Sequence, residues 1–164
     1  MKNINHIIQY IAIITLFSIF KLIGFKASSN LGDLIGRIFG PLFRSKSLII
    51  KNLKKANIKI DKKFELIASN VLRNYGRIFS EYVHLKNFKN NKLKDHISIE
   101  GLQHLEKIKN DKKKVVFISG HFNNFELMAM QIEKVGIDCA AIYRPLNNPY
   151  LNKIMEKIRK RDIC

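Results

Sequence analysis

The sequence predicts an α/β chain: an N-terminal membrane helix, a helical region, and then a βαβ unit of a partial sheet, parallel or mixed. Three observations carry this reading. Ile7 to Phe20 holds no charged residue. From Ile67 to Val83 apolar residues recur every three or four positions, the helical period. Between Val115 and Arg144, "VVFIS", a helix-like stretch closed by Gly136, and "IDCAAIYR" follow one another. That succession of strand, helix and strand is a βαβ unit, with parallel strands and a right-handed crossover. Residues 1–26 read as the anchor and 27–164 as one further domain.

The 164 residues suit a single domain, and at 46% hydrophobic the chain can bury a core. Its net charge of +17 favours anionic partners such as anionic lipid or an acidic protein. Much of that charge also fits a composition rich in Lys, Ile and Asn. Nucleic acid is excluded as a partner, because no aromatic stripe interleaves with the basic residues. The two cysteines, Cys139 and Cys164, are far apart and match no zinc-ligand or disulfide spacing. Cys139, inside an apolar run, reads as a small buried hydrophobe. No metal site is expected.

Taken in order, the first element is the apolar helix. With Lys21 tolerated near its end by snorkelling, Ile7 to Phe25 has the length a bilayer needs. A cleaved signal peptide and a buried core helix are the competing readings. "KASS" is a poor cleavage site, and Lys2 is the only early basic residue. If the helix spans, Lys26, Arg37, Arg44, Lys46 and Lys51 place the body of the chain in the cytoplasm.

Gly32, Gly36 and Gly40 then share one helical face, a spacing that permits close helix packing or marks a hairpin ending at Gly40-Pro41. Residues 44–63 read as a short basic helix and a loop, with Asp61 as an N-cap. The amphipathic helix after it places Ile67, Val71, Tyr75, Ile78 and Tyr82 on one stripe, widened by Leu72, Phe79 and Val83. Arg73, Arg77 and Glu81 fall on the other side. "ISIEGLQHLEKI" gives a brief alternating stretch and a short helix, and "NDKKK" a solvated turn. "VVFIS" is β-branched and unbroken, as in a strand buried on both faces. "NFELMAMQIEKVG" is a helix closed by Gly136. The last helix has Asn148 as N-cap, Pro149 at its first position, and an apolar face of Leu151, Ile154, Met155 and Ile158.

His121 and Glu126 sit where the first strand ends, the end at which open α/β sheets bind ligands. An imidazole exchanges a proton near neutrality. A carboxylate on one ring nitrogen fixes the tautomer and leaves the other nitrogen as base. Five residues apart, the two are about 140° off a shared face if both are helical. They meet only if His121 is in the turn and Glu126 in the first helical turn. The competing reading is a capping box, with Asn123 as N-cap and Glu126 at its third position.

The wider text decides between them. "GHFNNFE" and "YRPLNNPYLNKIMEKIRKR", preceded by "LGDLIGRIFG", "KNLKKA", "NYGRIFSEY" and "IEGLQHL", resemble in order and spacing the late acyltransferases of lipid A biosynthesis. Those enzymes carry a G-H-x-x-N-[WF]-E block and a Y-R-P-x-x-N-P block. The resemblance implies a lauroyl- or myristoyl-transferase type of fold and a site facing the cytoplasm at the inner membrane. It implies acyl carrier protein as donor and a phosphorylated glycolipid, a lipid A precursor, as acceptor. No cofactor is implied. On this resemblance His121 is the general base and Glu126 orients and polarises it. Arg144, Arg159 and Asn124 are substrate-binding candidates, the arginines for phosphates or the thioester oxygen; a solvated basic face explains Arg159, Lys160 and Arg161 equally well.

The chain ends where that family continues into further strands. An incomplete acyltransferase domain is therefore expected, whether fragment, split protein or pseudogene product. Two other functions fit the same text. One is acyl transfer to another glycolipid, of the phosphatidylinositol mannoside type. The other is an inactive, membrane-anchored chain that binds anionic lipid.

Overall fold

A computed structural model describes residues 2–43, 45–57 and 64–163. Eight α-helices run through them: α1 (Lys2–Ile23), α2 (Phe25–Phe43), α3 (Lys46–Lys55), α4 (Phe64–Glu81), α5 (Leu85–Lys89), α6 (Leu102–Asp111), α7 (Glu126–Lys134) and α8 (Pro149–Asp162). The chain divides into two compact units, Phe17–Val83 on the one hand and Met1–Leu16 with His84–Cys164 on the other.

In the unit of Phe17–Val83, α1 stops at Gly24, whose φ of 82° lies in the left-handed region that glycine enters without strain. α2 and α4 then pack so closely that their backbones touch. A Cβ on Gly76 would lie 2.9 Å from the Cα of Gly36, and one on Gly36 would lie 3.1 Å from the Cα of Arg73. The four-residue glycine spacing thus serves helix contact. α2 also runs past Gly40, with Pro41 inside its last turn. α3 is capped by Ser45, whose hydroxyl accepts from the Leu48 N–H at 3.4 Å. Ile49, Ala68 and Leu72 form the core between α3 and α4, with Ile50 and Leu53 against them. Phe79 packs on Phe17 and Phe20, with ring centroids 5.1 and 6.1 Å apart. Asp61, the expected cap of α4, lies outside the described residues.

The face of α4 differs from the expected one. Val71 and Tyr75 are exposed, while Ala68, Leu72, Ile78 and Tyr82 are buried. Arg73, Arg77 and Glu81 point at α2. Arg73 Nε donates to both Asp33 oxygens at 3.0 Å, Arg77 Nε to Asp33 Oδ1 at 2.9 Å, and Ser29 Oγ to Glu81 Oε1 at 2.8 Å. Glycine lets the helices come close enough for charged side chains to cross the seam.

In the other unit, α5 packs against α7 and α8. Leu85, Phe88, Met130 and Ile163 are almost fully buried. α8 starts as expected. Asn148 caps it, its Oδ1 accepting from the N–H groups of Tyr150 and Leu151 at 3.1 and 3.4 Å, and Pro149 follows. The Asn148 Nδ2 donates to the His6 carbonyl at 2.8 Å, and Tyr150 stacks on Tyr10. The start of α8 is therefore held by the first turns of α1. α7 ends at Gly136, with φ of 88°.

The α/β expectation fails: the described residues are helical and contain no strand or sheet. Val115–Ser119 and Ile137–Arg144, expected as the two parallel strands of the βαβ unit, are irregular and pair in no ladder. The helix between them forms because it satisfies its backbone within itself. A strand needs a neighbour's N–H and C=O groups, and two strands alone are marginal in water. Their apolar side chains stand in solvent, with Val116, Ile118 and Ile142 at 87%, 94% and 105% exposure.

Candidate active site

The turn before α7 sets the site. Asn123 takes a left-handed φ of 45°, a conformation asparagine tolerates. The Phe125 N–H donates to its carbonyl at 3.0 Å, and the Leu127 N–H to the Asn124 carbonyl at 3.1 Å. α7 therefore begins at Glu126, with Phe125 at the cap position and no side-chain cap. The capping box of Asn123 and Glu126 does not form. His121 lies in the turn and Glu126 in the first helical turn, the one arrangement that lets the pair meet.

Glu126 is 6% exposed. Its Oε1 accepts from Arg159 Nη2 at 2.7 Å and from Arg159 Nε at 3.1 Å. Two helix ends suit this pair: a carboxylate at the start of α7 and a guanidinium in the last turn of α8. His121 is exposed, and its ring stacks on Phe125 with centroids 4.2 Å apart. Among the described residues it makes no hydrogen bond or ion pair. The structure thus brings Glu126 together with Arg159, and leaves His121 ahead of them in the chain with its ring against that of Phe125. A carboxylate has about four acceptor positions. Arg159 takes two, so its grip does not bar an imidazole N–H.

Arg144 is exposed and bonds to no described residue. Asn124 is half-buried behind the turn. Sequence reasoning missed the surroundings of Arg159. Its guanidinium carbon lies 5.1 Å from the centre of the Tyr143 ring. The Tyr143 hydroxyl donates to Glu156 Oε1 at 2.6 Å, and Asn152 Nδ2 donates to the same oxygen at 2.8 Å. Those bonds hold the Glu156 carboxyl below the usual carboxylate range, that of Tyr143 first and that of Asn152 second. The bond to Glu156 also raises the Tyr143 phenol. The available signal was spacing: Asn152, Glu156 and Arg159 are four and three residues apart, so they share a face of α8.

Beside α7 runs an apolar groove lined by Ile97, Ile99, Leu105, Phe117, Leu127 and Met128. It begins at the residues that directly follow Glu126. Among the described residues no group of acidic, histidine and cysteine side chains could hold a metal. Among the described residues one helix, over Asn3–Ile23, is long and apolar enough to cross a membrane, with mean hydropathy of 1.8.

These features define a helical protein with a span-length N-terminal helix, a buried Glu126–Arg159 pair and an apolar groove beside α7. The chain belongs to the bacterial lipid A biosynthesis acyltransferase family, whose model matches residues 2–163. No curated protein and no solved structure matches it.

Proposed function

We propose that the chain transfers a fatty acyl group from the thioester of acyl carrier protein to a hydroxyl of a phosphorylated lipid A precursor, at the cytoplasmic face of the inner membrane. The observation that carries this reading is the buried Glu126, pinned by Arg159 in the first turn of α7, in the same short stretch as the exposed His121. His121 takes the proton of the acceptor hydroxyl as its oxygen attacks the thioester carbonyl. Glu126 stabilises the imidazolium that forms. The tetrahedral intermediate collapses, the carbon–sulfur bond breaks, and the thiolate receives the proton from His121. An ester and a free carrier thiol result. The apolar groove at Leu127 and Met128 suits the acyl chain. Arg144, exposed and unbonded to described residues, suits the phosphates of the acceptor, for which a planar guanidinium offers paired donors. The span-length α1 and the net charge of +17 support a site at an anionic membrane surface.

The test is transfer from acyl carrier protein to a lipid A precursor in membranes carrying the chain. His121→Ala is expected to lower transfer by at least about 100-fold, the scale of lost general-base catalysis, with membrane association unchanged. Full activity in that variant overturns the assignment.

A further inference from the structure

We propose that Tyr143 and Glu156 are positioning residues that aim the Arg159 guanidinium at Glu126; this rests on the acyl-transfer reading of the same site. The guanidinium donates to Glu126 and lies over the Tyr143 ring. Its edge donates through Nε and Nη2 to Glu126 Oε1. Its carbon lies 5.1 Å from the Tyr143 ring centre. Contact with both partners restrains the group more than contact with Glu126 alone. Only arginine can use both, since an ammonium has neither fork nor face.

Tyr143 needs holding in turn. It lies in residues 137–146, where no ladder fixes the backbone. Its hydroxyl is instead tied to α8 through Glu156. Asn152 completes the tie. Its Nδ2 donates to the same Glu156 oxygen, and its Oδ1 accepts from the Leu146 N–H at 2.9 Å, on the far side of Pro145. The segment is thereby fastened to α8 at both ends of the Tyr143–Leu146 stretch.

The tie also settles a competition. Glu156 is three residues before Arg159, a spacing at which a carboxylate captures a guanidinium on the same helix. Here Tyr143 and Asn152 both donate to Glu156 Oε1, and the arginine fork goes to Glu126. Removing the phenol should loosen Glu156 and let it draw Arg159 away.

This yields a pattern that a merely structural role does not produce. Tyr143→Phe should lower kcat for acyl transfer about tenfold, with KM for donor and acceptor unchanged. Tyr143→Phe combined with Glu156→Gln should recover most of that loss, because the competing charge is gone. Tyr143→Leu, which also removes the ring face, should lose about as much or more and should not be rescued by Glu156→Gln. Independently of activity, the Arg159 Nε–H resonance of the full chain in detergent should exchange slowly with water. It should exchange faster in Tyr143→Phe and slow again in the double variant. Wild-type kcat and unaltered Nε–H exchange in both Tyr143 variants overturn the proposal, as does a loss that Glu156→Gln fails to relieve in Tyr143→Phe. His121→Ala run beside them separates the two readings. If it is inactive while the Tyr143 variants match the wild type, positioning fails and acyl transfer stands. If it retains activity, or if the wild type transfers nothing, the acyl-transfer reading fails and the exchange data alone decide the positioning.

Discussion

Glu126 is a carboxylate at 6% exposure, and Arg159 is what makes that burial tolerable. A buried charge stripped of its partner is strongly destabilising, by about 3–5 kcal/mol in an enclosed site. The Arg159 side chain keeps 25% of its surface in solvent, so water screens part of the interaction. Arg159→Ala is therefore expected to cost about 2 kcal/mol of unfolding free energy. Glu126→Gln in the same chain should return most of it, because an amide leaves no buried charge behind. Denaturant unfolding of the two variants in detergent checks this; equal losses in both would mean that the pair contributes packing alone.

At the scale of elements, the α2–α4 seam shows how periodicity succeeds and where it misleads. The glycine spacing on α2 was legible, because four-residue repeats fix a face whatever the partner is. The polar side of α4 was not. Arg73, Arg77 and Glu81 read as a solvated face because their charge favours water, and the partners that offset their partial burial, Asp33 and Ser29, lie on another helix. The cap of α8 was legible for the opposite reason: Asn148 and Pro149 act within one turn of themselves.

The same seam predicts a pH response. The hydrogen bond from Arg73, chiefly, together with the charges of Arg73 and Arg77, holds the Asp33 carboxyl below its ordinary value of 3.8. A carboxyl whose pKa is depressed by folding contributes stability that is fully present above its unfolded value. That contribution is lost as pH falls through the lower, folded value. The protein should hold its melting temperature from pH 7 to about 4.5 and lose it steeply below about pH 4. Asp33→Asn should start about 1 kcal/mol less stable, since both arginines are more than a third exposed, and should fall less over the acid limb. Parallel acid limbs in the two proteins would sink this account.

At the scale of the whole molecule, what was hidden from the sequence is pairing. "VVFIS" and "IDCAAIYR" have the composition of buried strands, and the helix between them and its Gly136 stop appear as read. The strand composition is local, whereas a strand exists only by bonding to another stretch of chain. The Glu126–Arg159 pair needs no sheet, because it depends on helix termini: Glu126 at the start of α7 and Arg159 near the end of α8. The two architectures differ in a measurable way. In a sheet covered on both faces, Ile118 and Ile142 would be core residues, and a polar replacement at either would cost several kcal/mol. At 94% and 105% exposure they contribute no buried area to the helical chain. Ile118→Lys and Ile142→Thr are thus expected to change its unfolding free energy by less than about 0.5 kcal/mol, the range of ordinary surface substitutions. Denaturant midpoints of the full chain measure this directly. A loss above about 2 kcal/mol at either position would show that these segments are buried in solution, and the strand reading would return with them.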